Sequence, residues 1–300
     1  MSSKTFFLQT LRQPFSLTFL ALLTTLMFSS CLFFTLSRPL KTKIVACDVG
    51  QGDAIIILYG EKRILIDTGP NSDVLRCLPR VALGGQKTID FALLTHWHKD
   101  HVGGFASVLQ KYTVGKILAG TPTEETLTVT DLEEQISLQG GSEVPSIGDQ
   151  IIYPGLRLRF LWNGDGLSLV GGQAPESEEN ASSLGTLLIG KSFGFLGMGD
   201  LECRQELAVL TLPLLSSYQI LKVSHHGAKT STCLEFLQKA RPEVALISSG
   251  AGNSYGHPHP QTLEFLRKMG VFPLRTDLYG DLILTKAKSG WMLKKGPKGG

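Results

Sequence analysis

No CxxC pair occurs among the five cysteines of this 300-residue chain; Cys31, Cys47, Cys77, Cys203 and Cys233 stand singly. That excludes a zinc-finger or thioredoxin-like centre built on closely spaced thiolates. It leaves the cysteines as small buried hydrophobes or an occasional disulfide. Charge is scarce as well, 18% of residues for a net +3. Lys4, Arg12, Arg38, Lys41 and Lys43 fall in the first 47 residues, which hold no acid, so the remaining 24 bases face 26 acids, a balance of about −2. A body this close to neutrality advertises no basic face for gripping duplex DNA. No internal repeat is visible. Histidine is rare, seven in all, so where the histidines stand is informative.

What is abundant is apolar sequence, 42% of the chain, enough for one large core or two modest ones. The longest uncharged run, FSLTFLALLTTLMFSSCLFFTL at 15–36, has 22 residues. At about 1.5 Å per residue it is long enough to cross a hydrocarbon layer of roughly 30 Å, and longer than the apolar part of a cleaved signal peptide. The sequence therefore predicts an uncleaved single-pass anchor over residues 1–40. Cationic residues flank both ends, so the positive-inside rule hardly decides orientation. A lipoprotein signal, with Ser29-Ser30 before Cys31, is a second reading that Phe28 and the apolar residues after Cys31 oppose.

Beyond Pro39 short β-branched runs alternate with turn chemistry. Strands are predicted at 43–49, 53–59, 62–68, 90–95 and 156–162, with a hairpin from LGTLLIG and FGFLGMGD. Further strands are YQILKVSH, EVALISS, VFPLRT, DLILT and WMLKK. Helices are predicted over 102–112, 201–212, 230–239 and 261–269, a loop with one short helix over 121–149, and a second loop over 164–180. Strands with helices in both halves suggest sheets sandwiched between helices, an α/β (α+β) fold. The main domain is placed at 41–293 and a basic tail at 294–300.

Three of the seven histidines fall in THWHKDHVGG, 95–104. In an extended segment i and i+2 share a face, so His96 and His98 can meet one metal while Trp97 and Lys99 point away. After the turn Asp100 and His101 can meet a second metal. Imidazole and carboxylate ligands suit Zn²⁺, or Mn²⁺ where oxygen predominates. Gly103-Gly104 lets the backbone turn into the next helix. Other polar groups stand at strand ends: Asp67 in ILIDTG, Asp200 in GMGD, and His225-His226 after YQILKVS. A carboxylate such as Asp67 typically orients a ligand.

The series DTG, HxHxDH, GD and a later His resembles the metallo-β-lactamase superfamily. More narrowly, DVGQGDAIII, ILIDTG, THWHKDHVGG, NASSLGTLLIG, GMGDLE, LKVSHHGAKTS, SSGAGNSYGHPHP and RTDLYGDLILT resemble the metallo-β-lactamase-like domain of ComEC-type DNA-internalisation (competence) proteins. The resemblance implies an αββα sandwich with a metal site at one edge, and hydrolysis by water activated on metal. It implies two divalent metal ions, with His96 and His98 on one, Asp100 and His101 on the other, Asp200 bridging and His226, or as the second choice His225, closing the second site while the other member of the pair faces substrate. Asp100, His225 and His257 become the candidate catalytic groups. Asp53, Asp67, Asn180, Lys229 and Ser231 become the candidates for supporting ligands or facing substrate.

Two departures matter. No histidine lies between His101 and His225, where the common superfamily pattern has one and this chain reads NASS, as ComEC-type proteins do. The first metal then has His96, His98 and Asp200, and is weakly held or absent. The multi-span channel of the competence proteins also has no counterpart, and one membrane segment cannot form a DNA pore. The expectation is a membrane-anchored, metal-dependent phosphodiesterase or nuclease related to DNA uptake. Its partners would be a phosphodiester or DNA substrate, the bacterial inner membrane and a separate channel protein, with the hydrolase domain extracytoplasmic. The alternatives are a hydrolase of a small phosphodiester or a non-catalytic metal-binding subunit. The HHG and GHP elements count against β-lactam or thioester hydrolysis.

Overall fold

The computed structural model describes residues 17–36, 41–81, 85–123, 126–164, 178–212 and 218–297. Lys4, Arg12, Arg38, Lys298 and most of the 164–180 loop lie outside them. The chain divides into two compact units, Met1–Leu40 and Lys41–Gly300. In the first, helix α1 (Leu17–Leu36) has 20 residues without a charge. Its side chains are described only over 19–30, and among the described residues no helix is long and apolar enough to cross a membrane.

The second unit holds two seven-stranded sheets. One runs β14 (Gly290–Lys295), β13 (Leu282–Ala287), β1 (Thr42–Ala46), β2 (Ile55–Tyr59), β3 (Lys62–Ile66), β4 (Thr88–Leu94) and β5 (Thr113–Ala119). The other runs β12 (Phe272–Arg275), β11 (Val244–Ile247), β10 (Ile220–Lys222), β9 (Phe193–Gly197), β8 (Gly185–Gly190), β7 (Leu156–Trp162) and β6 (Gln150–Tyr153). The strands β3, β4 and β5 are parallel, as are β9 to β12, and the rest pair antiparallel.

The two-residue period of a strand sorts the side chains into layers. Ile55 and Ile57 of β2 face the interval between the sheets, where they join Leu188, Phe195, Ile220 and Leu246 of the other sheet. Ile56 and Leu58 face the opposite way, toward α2 (Val74–Val81), α4 (Phe105–Lys111) and α5 (Leu127–Leu138). Burial on both faces is why β2 reads as an unbroken apolar run. The second sheet turns Leu196, Leu221 and Ile247 toward α7 (Cys203–Val209), α8 (Leu234–Ala240) and α9 (Pro260–Lys268). Fully buried side chains such as Phe105 and Phe236 contribute about 1.5–3 kcal/mol each. The layers are helices, sheet, sheet, helices.

Three differences from the sequence reading have physical causes. The elements α2, α6 (Glu178–Ala181), α10 (Thr276–Tyr279), β5 and β6 were not foreseen. The segment of α2 contains Pro79, and the glycine inside TVGKILA weakens a strand signal. The helix expected over 102–112 is two, a short α3 (Lys99–Val102) and α4. Its glycines need no special conformation: Gly103 and Gly104 have φ of −60° and −85°. Their role is close approach, because a Cβ would lie 2.3 Å from Pro70 O or 2.4 Å from Asn71 O. The last strand ends at Lys295, as the run WMLKK predicts, so the tail expected from 294 begins two residues later.

Two disulfides are formed, Cys47–Cys77 and Cys203–Cys233. The first ties the end of β1 to α2, and the second ties the start of α7 to the residue preceding α8.

Candidate metal centre

Five strands, β3, β4, β9, β10 and β11, deliver polar residues at the same edge of the sandwich. Asp67 follows β3 with φ of 56°, and Thr95-His96 follow β4. Asp200 follows β9 after Gly199, His225-His226 follow β10, and Ser248-Ser249 follow β11. The loops are stitched to one another: Leu184 N donates to Thr95 O (2.9 Å), Thr68 N to His101 O (2.7 Å) and His225 N to Gly199 O (3.2 Å).

The side chains converge. Asp100, His101, Asp200 and His226 bring one ligand atom each to within 4.8 Å of one another. His226 Nε2 is 3.1 Å from Asp100 Oδ2 and 3.5 Å from Asp200 Oδ2, and His101 Nε2 is 3.3 Å from Asp200 Oδ1. Beside this group His96 Nε2 faces His98 Nδ1 at 3.1 Å, and the His96 and His101 rings lie 4.1 Å apart. His225 Nε2 stands 3.8 Å from Asp200 Oδ2, farther than His226.

A second layer fixes which nitrogens point inward. Asp67 Oδ2 lies 2.9 Å from His101 Nδ1, while Asp67 accepts from Thr95 N and Thr95 Oγ1 at 2.7 Å each. With its Nδ1–H engaged, His101 presents the Nε2 lone pair to the cluster. Ser248 O, 3.0 Å from His226 Nδ1, does the same for that ring. Asp53 joins the sheets from behind, its Oδ2 2.5 Å from Lys222 Nζ and its Oδ1 3.4 Å from His226 Nδ1.

The electrostatics follow from burial opposed by neighbours. Burial alone would raise the Asp53 carboxyl, but the Lys222 ammonium and the His226 ring outweigh it and hold it at about 2. Burial likewise opposes ionisation of Asp200, yet His101 and His226 bring it well below the usual carboxylate range. Burial disfavours a charged His226, and Asp200 and Asp53 overcome this, raising it to about 9. His96 goes the other way: burial and the nearby His101 ring keep it neutral. Burial, with His226 and His225, lowers His257 to about 4.

The His-His turn is held in an unfavourable shape. Residues 224–227 form a kinked turn in which His225 and His226 both lie in the left-handed region, with φ of 49° and 52°. Two consecutive non-glycine residues there cost of order 1–3 kcal/mol each and need support from their surroundings. Ser224 Oγ donates to Glu206 Oε1 (2.6 Å) and Thr232 N donates to Glu206 Oε2 (2.7 Å). Ser231 Oγ donates to Ser224 O (2.8 Å). Glu206 lies on α7, whose first residue is disulfide-bonded to Cys233 beside Thr232.

The cluster opens into a cleft of about 320 Å³ lined by Gln51, His98, Lys99, Asp100, Asn180, Asp200, His225, His226, Tyr255 and His257. His96, His101, Asp53 and Asp67 lie behind it, buried. Two candidates for facing substrate are elsewhere: Ser231 is buried and bonded to backbone, and Lys229 is exposed but does not line the cleft. Trp97 points away from the cluster as expected, but into the core, its Nε1 donating to Gly120 O at 2.6 Å.

Sequence reasoning missed Glu179, Glu206 and Lys222. Glu179 had been read as part of an acidic loop; its Oε1 accepts from Trp97 N (2.6 Å) and its Oε2 from Thr123 N (2.9 Å) and Thr123 Oγ1, which secures the histidine loop. Lys222, an ammonium at the end of an apolar strand, was the one visible signal.

The residues fit divalent metal. Four carboxylates, Asp53, Asp67, Asp100 and Asp200, gather around the histidines, and the Lys222 ammonium pairs with Asp53 alone among the described residues. His101 Nε2 and Asp200 Oδ1 are buried and lack a hydrogen-bond partner, a costly arrangement that a cation between them relieves.

Two sheets between helix layers, with a histidine–aspartate cluster at one strand edge, define a class of metal-binding hydrolase fold. The chain belongs to the metallo-β-lactamase superfamily, whose sequence profile matches residues 47–250; its members are generally metal-dependent hydrolases. Within that superfamily it is similar to ComE operon protein 3 of Bacillus subtilis, 29% identical over 78% of this chain and 32% of that protein. It is also similar to Competence protein ComA of Neisseria gonorrhoeae, 28% identical over 81% of this chain and 32% of that one. Recombination protein 2 of Haemophilus influenzae is 28% identical over 81% and 28%. The chain thus spans about a third of the length of these relatives. Among solved structures, the metallo-β-lactamase fold protein YhfI of Bacillus subtilis superposes with a TM-score of 0.56 at 10% identity, covering 82% of this chain and all of that one. Igni18, a metallo hydrolase of Ignicoccus hospitalis, gives 0.50 at 14% identity over 81% and 98%. These likenesses speak to the fold alone.

Proposed function

We propose that the chain is a metal-dependent phosphodiesterase acting on DNA during uptake, held at the membrane by residues 1–40 with the 41–293 domain outside the cytoplasm. The observation that carries the reading is the Asp100, His101, Asp200 and His226 quartet within 4.8 Å, with its unpartnered buried atoms. These four would hold one divalent ion, Zn²⁺ or Mn²⁺. His96 and His98, with Asp200 bridging, would hold a second, more weakly. Bound there, the ions supply Lewis-acid polarisation of a phosphoryl oxygen and a lowered water pKa.

The chain's own residues do the rest. Asp67 keeps the proton on His101 Nδ1, and Ser248 O keeps it on His226 Nδ1, so both rings offer Nε2. Asp53, paired with Lys222, steadies the His226 ring from its far side. His225 and His257, neutral at pH 7 because burial lowers both, donate hydrogen bonds to phosphoryl oxygens at the cleft mouth. Asn180 stands where the superfamily's further histidine would be and faces the same cleft.

DNA as substrate is supported by the similarity to competence proteins. The extracytoplasmic placement is supported by two disulfides, which persist in oxidising compartments. Membrane attachment is supported by the 22 uncharged residues at 15–36. The near-neutral body favours one second reading, hydrolysis of a small phosphodiester. The test is to purify the full chain in detergent, load it with Zn²⁺ or Mn²⁺, and offer single-stranded DNA and bis-p-nitrophenyl phosphate. Cleavage of both supports the proposal, and cleavage of the small ester alone transfers it to the second reading. Cleavage of neither, with metal bound, leaves a metal-binding subunit of a DNA-uptake assembly that works beside a separate channel protein.

A further inference from the structure

The loop over 250–259 has no part in the metal cluster, yet it forms one wall of the same cleft. It is built rigidly. Asn253 Nδ2 donates to Gly250 O (2.9 Å) and to His257 O (2.6 Å), and Asn253 Oδ1 accepts from His257 N (3.0 Å). Gly250 N donates to Gln51 Oε1 (3.1 Å), and His259 N to Gly227 O (2.8 Å), which fastens the loop to the His-His turn. This frame presents a large aromatic ring to solvent: Tyr255 is 69% exposed. The His257 ring flanks it in an offset, near-parallel arrangement, with centroids 5.7 Å apart and 25° between the planes. The His257 ring is in turn 5.6 Å from His225 and 6.4 Å from His226. The exposed cation Lys99 lines the same cleft.

An exposed aromatic on a fixed backbone, one ring away from the histidine cluster and sharing its cleft with a lysine, matches a nucleotide. The base needs a flat π-face and the adjoining phosphate needs a cation, and stacking is indifferent to which base arrives. Because loop and ring are already ordered, little conformational entropy is lost on binding. A duplex cannot offer a base face without unstacking it, so the fit is to a single strand.

We infer that Tyr255, backed by His257, is a stacking platform for a base of single-stranded nucleic acid, with Lys99 meeting a neighbouring phosphate. This rests on the phosphodiesterase reading for its position beside the scissile bond, but it is a statement about binding. The test uses the full metal-loaded chain and fluorescence anisotropy with two 10-mers of identical backbone, one of deoxythymidine and one abasic. Wild type is expected to bind the base-bearing strand about tenfold more tightly. Tyr255→Ala should abolish that preference while leaving abasic affinity and metal content unchanged, and Tyr255→Trp should keep it. Equal affinity of wild type for the two strands, no binding of either, or an equal loss of both in Tyr255→Ala overturns the platform. A preserved preference without cleavage of either strand defeats the hydrolase reading and leaves the platform standing. Cleavage without a preference does the reverse.

Discussion

Asp67 Oδ2 lies 2.9 Å from His101 Nδ1, and both residues are buried to 1% exposure or less. The pair sets the tautomer of the central histidine of the cluster. Asp67→Asn is a mild change for the backbone, because asparagine accepts a positive φ at least as readily as aspartate. It replaces an anion by an amide, however, and weakens the hold on the Nδ1 proton. Metal affinity is expected to fall about 10- to 100-fold, measured by chelator competition. An unchanged affinity would mean that Asp67 serves only to tether Thr95.

His98 sits at the cleft, half-buried; its side chain caps no backbone group at the start of α3, and its Nδ1 faces His96 Nε2 at 3.1 Å. His98→Ala is therefore expected to lower metal content and activity together while the far-ultraviolet circular dichroism stays as in wild type. Normal metal content in that variant would contradict the assignment of His98 as a ligand.

Glu206 gives a pH signature. Burial pushes its carboxyl up to about 7, against the lowering effect of hydrogen bonds from Ser224 and Thr232. Its folded value lies above the ordinary 4.5, so the folded state binds the proton more tightly. Stability from this group is complete below pH 4.5 and is lost as pH rises through 7. In chelator, the difference in unfolding free energy between wild type and Glu206→Gln should shift by about 2–3 kcal/mol from pH 5 to pH 8, in the variant's favour at the higher pH. A constant difference would show that Glu206 does not titrate in this range.

The Cys203–Cys233 disulfide holds α7, and with it Glu206, against the His-His turn. Replacing both cysteines by serine removes a cross-link spanning 30 residues, worth about 3–4 kcal/mol in a chain-entropy account. The expected outcome is a lower unfolding midpoint together with weaker metal retention, since the strained turn loses part of its support. A lower midpoint with unaltered metal retention would separate the disulfide from the site.

Much of this architecture is legible in the sequence because it rests on local periodicity. The runs IIILY and KRILI declare strands, and HxHxDH places four polar groups within six residues at a strand end. Asp200 and His226 are legible only through their turn positions and the family resemblance. What is not legible depends on contacts distant in sequence. Glu179 reaches back 82 positions to Trp97, and the Asp53–Lys222 pair joins the two sheets, so neither has a local pattern. Trp97 illustrates the limit of alternation: period two says that it points away from the histidines, but not that the far side is core. The His-His turn is hidden for another reason, because non-glycine residues at positive φ are sustained by Glu206 and Ser231, which no local preference reveals.

The central claim is a metal centre completed by Asp200 and His226 and short of one ligand on the His96–His98 side. It is tested most directly by elemental analysis of the full chain purified with divalent metal, before and after extended dialysis against metal-free buffer. The account expects one equivalent that survives dialysis and is lost in His226→Ala, and a second that is present only with free metal in solution and is lost in His98→Ala. A chain that holds no metal in either state would contradict it.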